Sequence, residues 1–362
     1  MVDSLETMPA PTSHGPDSLE LALAPLLPGV DANTATRLAR IARRLPRIFR
    51  GGYECRLSAG DHPIDLGQFL IRDDAEWFSA WAGQQSRVDG GYGGVANLAR
   101  HWADQTDPVH RQLVDLWLEV DDAPAGQETA PSIFVGFEQS SGGEPSRELI
   151  AARVLEILGV TVTDEVGVVI GQVVQACQGP EFLGHLGVML SRHGAGIRLN
   201  VKRLSRERLK PFLDEVRWPG DWQSVRSLAD LAWRHADRVT VCFDLAETLR
   251  PTLAFECTLL RQPPAEPRWS MLLQELVTLG LCEPARRDAC LRWPGATGPR
   301  DSPVPWPDGL VLEEMCGSAD SVGVLIRRLS HVKLGVGARG IEAKAYLWFS
   351  SERRPLVVSL EG

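Results

Sequence analysis

The feature that most narrows the fold is a unit that recurs along the chain. Two runs of alternating apolar and polar residues, joined by a turn, are followed by a stretch with helical period. Residues 53–57 and 64–71 precede a helix around 76–82, and residues 114–121 and 132–137 precede a helix over 146–158 with Ser146 as its N-cap. Residues 239–245 and 253–259 precede a helix over 267–280, opened by proline and closed by glycine. The last pair, 332–336 and 342–349, meets across a turn with Gly337 and Gly340. Between units, a helix is expected to end near His193 and lead into a strand over 197–201. Ser205 caps another helix that stops at Trp218-Pro219-Gly220, and a second Trp-Pro-Gly at 293–295 closes a third. Strands joined in hairpins pair antiparallel, so the class is α+β: an antiparallel sheet of repeated hairpins with helices on one side.

Residues 1–17 carry Pro, Ser, Thr and Gly without periodicity and are expected to form a disordered arm; 18–362 then form a single α+β domain. That domain opens on a basic helix, capped by Asp31 or Asn33. Leu38, Ile41, Ala42 and Leu45 share one face, Arg37, Arg40, Arg44 and Arg47 share the other, and Pro46 ends it. The face of Arg40, Arg44 and Arg47 reads either as solvated surface or as a docking patch for an acidic peptide.

Composition excludes several classes. With Lys+Arg 38 against Asp+Glu 47, a net charge of −9 draws the chain to neither nucleic acid nor an anionic membrane. No apolar run reaches membrane-spanning length and the first residues lack signal-peptide blocks, so a cytoplasmic protein is expected. Seven scattered cysteines form no disulfide framework. P-loop, HExxH, paired CxxC, GxSxG and kinase signatures are missing, and the glycines at 90, 91, 93 and 94 lack the order of a dinucleotide fingerprint. Cys282, Cys290 and Cys316 are read as buried thiols, so neither metal nor cofactor is expected.

The strand faces are more informative. Arg198, Asn200 and Lys202 share a face opposite Ile197, Leu199 and Val201. His331 and Lys333, and on the next strand Glu342, Lys344, Tyr346 and Trp348, repeat the pattern. So do Asp115, Trp117, Glu119 and Asp121; Thr240, Asp244 and Glu256; and Glu54 and Arg56. With helices over the apolar faces, the polar faces point either to water, in an open sheet, or into the lumen of a closed barrel. A barrel with external helices is the pattern of the aromatic prenyltransferases with αββα repeats. Closure would gather Lys202, Lys333, Lys344, Glu119, Asp244, Glu256 and Tyr346 in one cavity, where charges shift one another's pKa. The chain has only four lysines, at 202, 210, 333 and 344, and three of them fall on such faces.

Three segments also resemble a known family: Leu116-Trp117-Leu118-Glu119-Val120-Asp121, residues 131–137, and Leu329-Ser330-His331-Val332-Lys333 with residues 342–347. They are similar to class V lanthipeptide cyclases of the LanY type, over roughly residues 50 to 350. The resemblance implies a tailoring enzyme that adds peptide cysteine thiols to dehydrated Ser or Thr, closing thioether rings. Its partners would be a precursor peptide and lyase-like and kinase-like tailoring enzymes. That chemistry needs a base for the thiol and a donor for the enolate. His331, Lys333, Lys344, Tyr346 and Glu119 are the catalytic candidates, with Arg40, Arg44, Arg47, Arg198, Lys202, Trp117 and Trp348 as substrate-binding candidates. Two alternatives stand beside it. An αββα-barrel prenyltransferase would bind a diphosphate on the lumen cations and shield an allyl cation with aromatic faces, although three tyrosines are few for that task. A non-catalytic peptide-binding or scaffold protein would need only the groove and the basic helix.

Overall fold

The computed structural model describes residue 27, residues 32–42, 44–46, 50–60, 62, 64–120, 130–139, 146–190, 196–301, 306, 311, 321–337 and 340–355. The arm at 1–17, Asp31, Arg47, Asp121 and Cys316 lie outside the described residues. The strands fall into five hairpins. They are β1 (Arg50–Arg56) with β2 (Ile64–Ile71), β3 (Leu113–Val120) with β4 (Ser132–Phe137), β5 (Phe182–Met189) with β6 (Gly196–Lys202), β7 (Arg238–Leu245) with β8 (Leu249–Thr258), and β10 (Ser321–Gly337) with β11 (Gly340–Pro355). Helices fill the intervals: α2 (Ala75–Val88), α3 (Gly93–Ala103) and α4 (Pro108–Gln112); α5 (Arg147–Ile157) and α6 (Asp164–Ala176); α7 (Arg206–Glu215) and α8 (Trp222–His235); α9 (Arg268–Thr278) and α10 (Pro284–Arg292). Helix α1 (Ala32–Ala42) precedes the first hairpin, and β9 (Gly295–Thr297) the last.

Each strand hydrogen-bonds the next in chain order from β1 to β8; β8 then pairs with β10, β10 with β11, and β11 with β1. Ten antiparallel strands thus close into a barrel, and an even number lets every neighbour run antiparallel. The short β9 adds to β10 at Leu325 to Arg327, beyond the part of β10 that β8 covers. Closure leaves the ten strands without the continuous edge that an open sheet exposes.

Alternation decides which side chains go where. Leu116, Leu118 and Val120 of β3, Ile197, Leu199 and Val201 of β6, and Val241, Phe243 and Leu245 of β7 are buried in the layer between sheet and helices. Helix residues Phe78, Trp102, Val154, Phe212 and Trp269 complete that core. Removing such side chains from water stabilises the fold by about 1.5–3 kcal/mol each. The opposite face of every strand points into the barrel.

Several local expectations need correction. The helix expected to end near His193 is strand β5, and the helix of that interval is α6. Helix α8 begins just past the Trp218-Pro219-Gly220 stop, where the Asp221 carboxylate accepts from the amides of Gln223 and Ser224. Ser146 occupies the N-cap position of α5 without a side-chain capping bond, whereas Ser205 caps α7 through Arg208 N. The basic helix ends at Ala42, so Arg44 lies past it. Arg44 is 3.9 Å from Asp89, and its carbonyl accepts from the Tyr92 hydroxyl at 2.6 Å, tying this segment to the layer around α2 and α3. Arg37 donates to Thr34 at 3.1 Å.

Candidate functional site in the barrel lumen

The lumen holds two adjoining cavities, of about 310 Å³ and 540 Å³. Glu54, Glu119, Phe134, Arg198 and Lys333 line both and mark the boundary. The smaller cavity is aromatic: Phe69, Trp117, Tyr346 and Trp348 line it, with Asp115, His185, Asn200, Lys202, Glu256 and His331. The larger is ionic, with Arg56 and Lys344 joining Arg198 and Lys333 among the cations, and Asp244 and Glu342 joining Glu54 and Glu119 among the acids.

The aromatic wall depends on glycines. The Trp117 and Trp348 rings lie 6.1 Å apart at 29°, and Phe69 packs 5.1 Å from Trp348 and 6.5 Å from Trp117. Trp117 is on β3 and Trp348 on β11, with β1 and β2 between them. Gly52 and Gly67 sit opposite each other on those two strands. A Cβ at Gly67 would come within 2.3 Å of the Trp117 indole, and one at Gly52 within 3.3 Å. The glycines leave a bare floor across which the two indoles meet. Gly187 does the same for Phe134, Gly184 for Lys202 and Gly136 for Asp115.

Charges in the lumen are matched in pairs. Lys344 binds Glu54 at 2.5 Å, and the Tyr346 hydroxyl donates to the other oxygen of Glu54. Burial alone would raise the Glu54 carboxyl, but the Lys344 charge and the hydrogen bonds from Lys344 and Tyr346 outweigh it and bring its pKa to about 2. Lys333 binds Glu256 at 3.1 Å; again burial opposes ionisation, and the Lys333 charge and hydrogen bond overcome it, holding Glu256 well below the carboxylate range. Arg198 binds Asp244 at 2.8 Å, and Thr252 donates to the same carboxylate at 3.0 Å. Burial, reinforced by Glu54, keeps the Tyr346 phenol protonated well above its usual range.

Among the described residues, two buried polar atoms of the lumen wall have no such partner. His331 stacks on Tyr346 with ring centres 4.1 Å apart, and its Nδ1 is 3.1 Å from Ser330 Oγ, but its Nε2 is buried with no hydrogen-bond partner. Burial lowers the His331 pKa, so its ring is neutral near pH 7. Asn200 Oδ1 is likewise buried without a hydrogen bond. Orphaned polar atoms in a cavity wall are positions where a bound molecule completes the bonding.

Placement of the expected residues is therefore uneven. His331, Lys333, Lys344, Tyr346, Glu119, Arg198, Lys202, Trp117 and Trp348 all line the lumen. Arg40 on α1 and Arg44 just past it belong to the outer layer and line neither cavity. Of the four lysines only Lys210 is outside, paired with Asp214 on α7. Asp115, His185, Phe69 and Phe134 were not singled out as site residues, although the parity of Asp115 with Trp117 and Glu119 was a usable signal. Cys282 and Cys290 are buried, and burial raises both thiols. Among the described residues, no three His, Cys, Asp or Glu side chains converge as a metal site would require. No described helix is long and apolar enough to cross a membrane.

No family model and no curated protein matches the chain. Among solved structures, the crystal structure of AnaPT from Neosartorya fischeri is similar, with a TM-score of 0.53 over 92% of this chain and 95% of that one, at 14% sequence identity. At that identity the likeness is one of fold: a closed antiparallel barrel inside a layer of helices.

Proposed function

We propose that the lumen is the reaction chamber of an αββα-barrel enzyme that transfers a prenyl group from an allylic diphosphate to an aromatic acceptor. The observation that carries this reading is the division of the lumen into an aromatic half and an ionic half that share a boundary. An allylic diphosphate has the same division, with an anionic head and an apolar tail that becomes a carbocation as the head departs. The faces of Trp117, Trp348 and Phe69 offer quadrupoles to such a cation, and a chamber enclosed by the sheet keeps out water that would quench it.

In the ionic half, Arg56, Arg198, Lys333 and Lys344 are the candidates to hold the diphosphate. Each already faces a carboxylate, and these contacts differ in strength. Glu342 is nearly half exposed and lies 3.7 Å from Arg56 and 3.6 Å from Lys344, longer than the inner pairs. A diphosphate entering from that side displaces Glu342 and leaves the Glu54 and Glu256 pairs in place to hold the lysines. Fixed cations at the leaving group lower the barrier to ionisation because the charge they meet grows in the transition state.

A second reading, thioether ring closure on a dehydrated peptide, draws on the unpartnered Nε2 of His331, a neutral ring atom open to a thiol proton. One experiment separates them. The purified chain is incubated with allylic diphosphates of increasing length and a panel of indoles and phenols, and separately with a dehydrated cysteine-containing peptide. Mass spectrometry follows prenyl addition, and thiol alkylation follows ring closure. Prenylated acceptor with released diphosphate is expected; loss of alkylatable thiol with no prenyl product in any mixture would replace the first reading by the second.

A further inference from the structure

Prenyl transfer to an aromatic ring releases a proton, which a group in the chamber must receive. The carboxylates of the lumen are not equally available. Glu54 is engaged by Lys344 and Tyr346, Glu256 by Lys333, and Asp244 by Arg198 and Thr252. Glu119 has its own partner. Asp115 differs. It stands two residues before Trp117 on β3, lines the aromatic cavity and, among the described residues, accepts no hydrogen bond.

Its surroundings hold it apart from the nearest cation. His185 Nε2 lies 3.7 Å from Asp115 Oδ1 and 3.4 Å from Lys202 Nζ, so one ring nitrogen separates the acid from the ammonium. Gly136, opposite Asp115 on β4, leaves the space in which the carboxylate lies; a Cβ there would come within 2.2 Å of it. The other charged or titratable groups around the cluster are Glu256 on β8, Arg238 on β7 and His331 on β10.

We propose that Asp115 is the catalytic base of the chamber, taking the proton that the acceptor ring loses, with Lys202 and His185 as positioning residues. This rests on the prenyl-transfer reading. The allylic C–O bond breaks and its electron pair leaves with the diphosphate. The acceptor carbon forms the new C–C bond, and the proton on that carbon passes to Asp115 as its C–H electron pair restores the ring. Burial raises the Asp115 pKa to about 6, while the Lys202 charge works in the opposite direction and favours the ionised form. Burial, and then the Lys202 charge, lower His185 to about 3, so that ring stays neutral and does not compete as a base. A base near 6 is ionised at neutral pH and accepts a proton far better than Glu54 at about 2.

The test uses Asp115→Asn and Asp115→Glu in the full chain. Wild-type kcat is expected to rise with pH through about 6 and then level. Asp115→Asn should abolish that limb and lower kcat about 100- to 10,000-fold. Hydrolysis of the allylic diphosphate without acceptor and binding of its unreactive thiolodiphosphate analogue should both survive, and Asp115→Glu should restore part of the rate. Wild-type transfer by Asp115→Asn, or equal loss of transfer, hydrolysis and analogue binding, overturns the assignment. A second measurement needs no turnover. In protein labelled with ¹³C at aspartate carboxyls, the resonance missing from Asp115→Asn should titrate near 6, and a midpoint at or below 4 overturns the proposal. If the wild type prenylates no acceptor, the function proposed above fails, and this titration alone decides whether Asp115 is poised to accept a proton.

Discussion

Replacing Glu54 by glutamine keeps the shape of the side chain and removes the charge that Lys344 and Tyr346 share. The cost follows from the pKa. A carboxyl held at about 2 rather than 4.5 stabilises the folded state by about 3 kcal/mol at neutral pH, since each tenfold change is about 1.4 kcal/mol. Breaking a buried ion pair by removing one partner typically costs about 3–5 kcal/mol, which agrees. In the variant, Lys344 keeps, among the described residues, Glu342 alone, 3.6 Å away and nearly half exposed. Because the folded pKa is depressed, the contribution is complete above the unfolded value of 4.5 and fades as pH falls through 2. Urea unfolding followed by tryptophan fluorescence, at pH 7 and again at pH 3, measures it. The wild type should exceed Glu54→Gln by about 3 kcal/mol at pH 7 and by roughly half of that at pH 3. Removing the stranded ammonium too, in Glu54→Gln with Lys344→Met, should recover part of the loss. A single variant within about 0.5 kcal/mol of wild type at pH 7 would refute the reasoning.

Two further outcomes follow from the lumen geometry. Gly67→Ala places a methyl within 2.3 Å of the Trp117 indole, so the ring must turn into the cavity; tight packing makes such overfilling cost about 1–3 kcal/mol, and a smaller acceptor should be favoured over a larger one in competition. The thiols of Cys55, Cys257 and Cys290 are fully buried and raised by that burial, so a thiol reagent should modify them in urea and leave them unmodified in the native protein over the same interval.

Much of the barrel was legible because most of its strands alternate strictly. Glu54 with Arg56, Arg198 with Lys202, and Lys344 with Tyr346 and Trp348 announce a polar face at period two, and the structure turns each into the lumen. Strand β5 was hidden for a physical reason. Its lumen side carries Gly184 and Gly187, which make room for Lys202 and Phe134, so the alternation that marks a strand is missing. A bulge between Leu183 and His185 shifts the period once more. Closure itself was not legible, since an open sheet with one wet face has the same pattern; only the pairing of β11 with β1 decides it. Nor does any one-chain pattern say which acid meets which base. Glu54 and Lys344 are 290 positions apart and meet because their strands are the first and last of the ring.

The most direct test of the reaction-chamber account is calorimetric binding of an unreactive allylic thiolodiphosphate to the full chain, beside inorganic diphosphate and an uncharged prenyl alcohol. The account predicts that the thiolodiphosphate binds more tightly than either fragment. Lys333→Met should weaken the two anions and spare the alcohol, and Trp117→Ala should weaken the alcohol and the thiolodiphosphate while sparing diphosphate. Absence of thiolodiphosphate binding, or binding that neither substitution alters, would contradict the claim that the two halves of the lumen hold the head and tail of one substrate.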